Sequence, residues 1–430
     1  MSAQELRQRI EQLSTQIDFH KKLLQELERD KILAHRQLNA VLDPVARLPP
    51  EISSGIFFQS LTPFPKPGAS HAPMLLLNIC STWSAVALST PDLWRAIQID
   101  FPCTENLAEL LPIWFQRARN RPLSVLLRGD LSGRWNPSVS ALIWRHGARL
   151  KHLELSFDRW MNDGEDAEYG DIPFDIFRLT TPAPFLLLER LTISGLPPGH
   201  STHRQIFRKL FTPSHILRPL RLAPNIVECI FDSIPLIPFP RETSDSARLV
   251  LPTLRRLRFE SLKDIPRVDV GILGCLSLPA LEDLSVPMCA VADGGLVRFL
   301  KQSAPPLRQL ALYTSQGRDF SKLHECLCLI PTLEAFEIWW DAQIMDQLLV
   351  TLTNSDSLLP NLRSLTVHTG VGISDYAWRT LVRAVSTRRI HLRLCGERYQ
   401  APPTDVLAAF KELIGDGVEI DIQAYNFMVG

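Results

Sequence analysis

At 430 residues the chain exceeds a single domain of about 100–200 residues, and a hydrophobic fraction of 45% supplies a large core. Lys+Arg and Asp+Glu balance at 46 each, which argues against the clustered positive charge from which nucleic-acid and anionic-membrane binders draw affinity. The opening MSAQELRQRIEQLSTQ lacks the apolar run of a secretory signal, and no stretch reaches the roughly 18 apolar residues of a membrane span. Eight cysteines lie scattered through apolar stretches with no CxxC; Cys326 and Cys328 flank one leucine without a second ligand pair. They are expected to be buried free thiols of a protein in the cytoplasm, the nucleus or both, with no metal and no cofactor.

Residues 4–42 contain neither Gly nor Pro and take a heptad frame. Position a holds Ile10, Ile17, Leu24, Lys31 and Leu38; position d holds Leu6, Leu13, His20, Leu27, Ala34 and Val41. Nine of these eleven are apolar, as a coiled-coil seam requires, with Lys31 and His20 as the polar insertions. The seam offers a homodimer contact, and a long helix folding back on the body is the other option. Asp43-Pro44 ends the helix in either case.

VARLPPEISSGIFFQSL follows. Pro50 suits a first helical turn, Glu51 complements the positive helix end, and Ile52, Ile56, Phe57 and Leu61 form an apolar stripe. TPFPKPGASHAP, with four prolines in twelve residues, is a loop. MLLLNICSTWSAVALSTPDLW then resumes a helical pattern with Ile79, Trp83 and Val86 on one face, before a short turn from Pro91 through Leu93 and Trp94.

These residues resemble the F-box. Its opening Leu-Pro-x-Glu-Ile and Ile-Phe pair correspond to Leu48, Pro49, Glu51, Ile52, Ile56 and Phe57. Its closing half corresponds to Cys80, Trp83, Ala87, Leu88, Thr90, Pro91, Leu93 and Trp94. The sequence departs from the family in its Pro-rich loop and at Ser81-Thr82, where basic residues are frequent. The resemblance implies a three-helix module docking on a Skp-type adaptor, and through it on a cullin, in an SCF (Skp–cullin–F-box) ubiquitin ligase. The implied adaptor-binding residues are Leu48, Pro49, Glu51, Ile52, Ile56, Phe57, Trp83, Leu88 and Leu93. A module of about 50 residues buries too little surface to satisfy its own apolar residues, which fits an interface.

Beyond residue 95 a Pro-x-Leu-x-x-Leu-x-apolar pattern recurs, clearest in LPTLRRLRF, LPALEDLSV, APPLRQLAL, IPTLEAFEI and LPNLRSLTV. Its leading leucines, Leu254, Leu281, Leu307, Leu333 and Leu362, stand 27, 26, 26 and 29 residues apart. Such a period is the mark of a stacked solenoid. Inward strand pairs are expected at Ile97/Ile99, Leu123/Val125, Leu153/Leu155, Leu191/Ile193, Cys229/Phe231 and Leu257/Phe259. They continue at Leu284/Val286, Leu310/Leu312, Phe336/Ile338, Leu365/Val367, Leu392/Leu394 and Val418/Ile420, with helices such as 293–304 and 374–388 between. The array resembles a leucine-rich-repeat horseshoe, irregular and without a strict turn Asn. A globular α/β domain with parallel strands is the alternative.

Chemistry is sparse. The acidic run MNDGEDAEYGD (161–171) lacks the spacing of a calcium loop, and His200 and His203 lack further ligands. No phosphate loop, dinucleotide fingerprint or nucleophile elbow occurs, so a non-catalytic protein is expected. RARNR (117–121) reads as a solvated helix end, and Glu419 and Asp421 as edge carboxylates. The outward strand surface carries Arg256, Arg258, Glu260, Tyr313, Glu337, Trp339, His368 and Arg393. Of these, Arg256, Arg258, Tyr313, Trp339, His368 and Arg393 are the candidates for holding an unknown protein target, and Tyr313 and Trp339 are expected to be neighbours.

The expected fold is α/β: a coiled-coil helix (1–43), a three-helix F-box module (44–95) and an irregular leucine-rich-repeat solenoid of parallel strands and helices (96–430). The expected function is substrate recognition for an SCF-type ligase, with no nucleic-acid or membrane partner. A repeat scaffold unconnected with ubiquitination is the alternative.

Overall fold

The computed structural model describes residues 3–103, 106–129, 137–157, 184–195, 213–232, 248–260, 271–313, 320–339, 342–355, 357–369, 373–396 and 402–424. The acidic run, His200 and His203, the Pro-rich 233–246 stretch and the Glu260 side chain lie outside the described residues. The chain divides into two compact units, residues 1–99 with 105–125, and 100–104 with 126–430.

In the first unit, α1 (Ala3–Leu42) is a 40-residue helix that buries none of its residues. Its last turns touch the rest of the unit, where Arg36 Nη2 donates to the Leu77 carbonyl and Asn39 Nδ2 to the Ile79 carbonyl. Asp43 Oδ1 accepts from the Val45 amide at 2.8 Å and turns the chain beyond the helix. Pro50 then opens α2 (Pro50–Gln59), where its missing N–H costs nothing.

The expected helix across MLLLNICSTWSAVALS is two pieces, α3 (Leu76–Ile79) and α4 (Ser81–Ser89). Cys80 between them is extended (φ −155°, ψ 173°), and with this corner Leu76, Cys80 and Val86 are all buried. The turn Pro91–Trp94 follows; its Trp94 Nε1 donates to the Ala87 carbonyl at 2.9 Å. α5 (Leu107–Arg117) buries Leu107, Leu111, Trp114 and Phe115, a stripe of helical period. Trp114 meets Trp94 edge to face with ring centroids 5.0 Å apart.

Among the described residues the sheet has twelve strands, beginning with β1 (Ala96–Phe101) and β2 (Leu123–Gly129). Next come β3 (Leu150–Phe157), β4 (Arg190–Gly195) and β5 (Glu228–Asp232). β6 (Leu249–Val250) and β8 (Leu276–Ser277) form a separate two-stranded sheet on either side of β7 (Arg256–Glu260) in sequence. β9 (Asp283–Pro287), β10 (Gln309–Tyr313), β11 (Ala335–Trp339), β12 (Ser364–Thr369), β13 (His391–Gly396) and β14 (Ile420–Ala424) complete the main sheet. Its neighbours follow chain order from β1 to β14, and from β3 onward the described pairings are parallel.

Parallel neighbours need crossover connections. α6 (Pro137–Arg145) joins β2 to β3, and the crossovers beyond include α7 (Pro213–Leu222), α8 (Cys289–Ala292), α9 (Gly295–Ser303), α10 (Phe320–Cys328), α11 (Ala342–Asn354), α12 (Asp375–Arg388) and α13 (Thr404–Gly415). Because the strands advance in one direction and such crossovers are right-handed, the connections fall on one face and leave the other open. α9 and α12 occupy the segments expected to be helical, and Ser374 caps α12 by accepting from the Ala377 amide at 3.2 Å.

On the covered face, Leu257, Leu284, Leu310, Phe336, Leu365 and Leu392 stand in register across successive strands and are all buried. Val286, Leu312, Ile338, Val367 and Leu394 form a second buried row. The last expected pair needs correction in register: Leu392 faces Ile420 and Leu394 faces Ile422, so Ile420/Ile422 continues the two rows, with Ile422 on the edge strand 42% exposed, while Val418 is buried as expected. Val418 lies before the strand, where Gly417 (φ 87°) completes the turn from α13 and delays the strand by two residues.

Expected burial fails for some thiols. Cys80, Cys229, Cys326 and Cys395 are buried, Cys103, Cys275 and Cys289 are half-buried, and Cys328 is exposed. Two residues on a helix are about 200° apart, so α10 cannot turn Cys326 and Cys328 to the same side.

Candidate functional site

Two surfaces carry the residues singled out from sequence. The first is α2 and its surroundings. The apolar residues expected in one stripe divide between two faces. Phe57 turns inward with Ser53, its ring 4.7 Å from that of Trp83, and is 2% exposed. Ile52 and Ile56, four residues apart, turn outward at 53% and 45%, with Leu48 at 40%. Pro49 and Glu51 are exposed alongside them, and Leu88 is exposed on α4. Leu93 is buried and Trp83 half-buried, so these two and Phe57 support the unit from within. Ser53 Oγ donates to the Val45 carbonyl at 3.2 Å, tying α2 to the preceding turn and fixing which face points out.

The basic cluster RARNR is engaged inside the same unit. The Arg117 guanidinium lies 4.4 Å from the Trp94 ring centre, and Arg121 Nη2 is 3.4 Å from Asp92 Oδ2. Burial lowers the Arg117 pKa from its ordinary value.

The second surface is the open face of the sheet. The side chains of Tyr313, Trp339 and His368 come together there. The Tyr313 and Trp339 rings are 4.5 Å apart and tilted by 62°; Trp339 and His368 stack at 4.0 Å and 9°. Ser285 Oγ donates to Tyr313 Oη at 2.6 Å, and His368 Nε2 lies 2.8 Å from Glu337 Oε1. A hollow of about 120 Å³ beside Tyr313 is lined by Arg258, Asp283, Ser285, Glu337 and Thr366 among others.

Arg256, Arg258 and Arg393 are each paired across strands. Glu228, almost wholly buried, lies between Arg190 Nε and Arg256 Nη1, the latter at 3.2 Å. Arg258 Nε donates to Asp283 Oδ2 at 3.1 Å, and Arg393 Nε is 3.3 Å from Asp421 Oδ2. Opposite charges on neighbouring strands contribute roughly 0.2–1 kcal/mol each, so these guanidinium groups hold the sheet as well as coat it. Burial pushes the Glu154 carboxyl up, with Arg190 opposing the shift. The pairing roles of Glu228 and Asp283 escaped the sequence reading, because they depend on register between repeats of unequal length. Glu419 precedes the edge strand β14, and its Oε2 is 3.2 Å from His391 Nδ1.

Among the described residues no helix is long and apolar enough to cross a membrane. Compared with known proteins, the chain matches no family model and no curated relative.

Proposed function

We propose that this chain is a non-catalytic substrate-recognition subunit of an SCF-type ubiquitin ligase, acting in the cytoplasm, the nucleus or both. Residues 44–95 serve as an F-box that docks on a Skp-type adaptor, and the strands and helices beyond serve as a leucine-rich-repeat-like array. The open sheet face, centred on Tyr313, Trp339 and His368, holds the protein target. The observation that carries this reading is the split of α2: Leu48, Ile52 and Ile56 are exposed while Phe57, Leu93 and Trp94 fill the interior. Apolar residues kept out of a small core, on one side of a helix and at the motif's own positions, are what an adaptor interface needs.

Capture of the full chain by a purified Skp-type adaptor tests the reading, with Leu48→Ala/Pro49→Ala/Ile52→Ala as the comparison. Capture of the wild type and its loss in the triple variant supports the F-box role. Absent capture, or equal capture of both, favours a scaffold outside ubiquitination.

A further inference from the structure

We infer that α1 pairs with α1 of a second copy of this chain as an antiparallel two-stranded coiled coil, in the register that sets Leu24 against Leu27 of the second copy. This inference stands apart from the adaptor reading, because it uses none of residues 44–95.

The heptad frame decides which face is available. α1 touches its own unit through the side chains of Arg36 and Asn39, which occupy positions f and b on the side away from the seam, and through the Val41 carbonyl, which accepts from Arg47 Nη2 at 3.1 Å. The seam itself stays open to its end, with Leu38 53% and Val41 67% exposed. Ile10, Leu13, Ile17, Leu24 and Leu27 are exposed as well. An apolar a/d row of about five heptads facing water is the surface that a second such helix covers.

Orientation follows from the two polar seam residues. A parallel pair sets Lys31 against Lys31, two ammonium groups inside one layer, and His20 against His20. It also offers no Lys or Arg facing an Asp or Glu at the flanking e and g positions. In the antiparallel register named above, Lys31 faces His20 of the second copy, whose imidazole can accept a hydrogen bond from the ammonium group. The remaining layers are apolar throughout: Ile10 with Val41, Ile17 with Ala34, Leu24 with Leu27, and Leu38 with Leu13.

Charge then selects the register. At the flanking e positions, Lys21 comes within about 3 Å along the axis of Glu28 of the second copy, and the twofold axis repeats the pair. Sliding by one heptad in either direction sets Lys21 against Lys21 or Glu28 against Glu28. Within its own helix Lys21 is 3.8 Å from Asp18, with both side chains about 70% exposed, a pair too weak to hold it from a partner.

The test is disulfide trapping in the full chain, mixing Leu13→Cys carrying one tag with Leu38→Cys carrying another, against a wild-type control for the native thiols. The inference predicts a disulfide between the two different variants, and a dimer of the wild type by sedimentation equilibrium. Disulfides within each variant alone would indicate the parallel pair and overturn it, as would a wild-type monomer. A trimer, or a helix occupied only by some other protein, overturns it equally. Lys21→Glu should weaken the dimer at least tenfold, and Lys21→Glu with Glu28→Lys should restore it; failure of that rescue overturns the register. Since α1 contributes nothing to the buried core, these changes leave the rest of the chain folded, which circular dichroism checks.

Discussion

Trp339 and His368, opposite one another in the parallel register of β11 and β12, lie face to face with ring centres 4.0 Å apart. Glu337, two residues before Trp339 on the same side of the strand, meets the edge of the imidazole, its Oε1 2.8 Å from His368 Nε2. The stack thus rests on three residues from two repeats. A double-mutant cycle with Trp339→Ala and His368→Ala should give a coupling of about 0.5–1.5 kcal/mol in urea unfolding. Strictly additive losses would mean that the stack does not persist in solution.

Two glycines should respond in opposite directions. Gly129 has φ 115°, and a methyl group built there overlaps the Phe101 carbonyl oxygen. Gly129→Ala should therefore cost about 1–3 kcal/mol or more. Gly55 sits within α2 with nothing near the site of a methyl group, so Gly55→Ala should stabilise by up to about 1 kcal/mol. Thermal or urea denaturation of both variants reads the difference in sign.

Thiol labelling should separate the cysteines. Burial pushes the Cys326 thiol up to about 12, with Glu325 adding to the shift, and burial also raises Cys229, with Glu228 adding. Both should resist Ellman's reagent in the native protein and react only on unfolding, since the thiolate is the reactive form. Cys328, exposed on α10, should react first. Fast native labelling at Cys229 or Cys326 would contradict their placement in the core.

The strands were legible because a Leu-x-Leu pair has the period of a half-buried strand and recurs with each repeat. That logic located eleven of the twelve inward pairs and failed at β14, where the turn ending at Gly417 delays the strand by two residues. The neighbourhood of Tyr313 and Trp339 followed from the same period. Other features were hidden. Nothing local in STWSAVALS announces the corner at Cys80, and the division of α2 depends on which residues α4 covers. The pairing of Glu228 with Arg190 and Arg256 was equally out of view, because it joins strands across two loops of different length.

The outward face of α2 carries the proposed adaptor contact, and the affinity of the full chain for a purified Skp-type adaptor probes it directly. Ile56→Asp is the informative variant, because the residue is 45% exposed and its replacement should leave the melting temperature near that of the wild type. An adaptor-binding α2 should give tight binding by the wild type and at least a tenfold loss in Ile56→Asp, equivalent to about 1.4 kcal/mol. No binding by the wild type, or an affinity unchanged by Ile56→Asp, would contradict it.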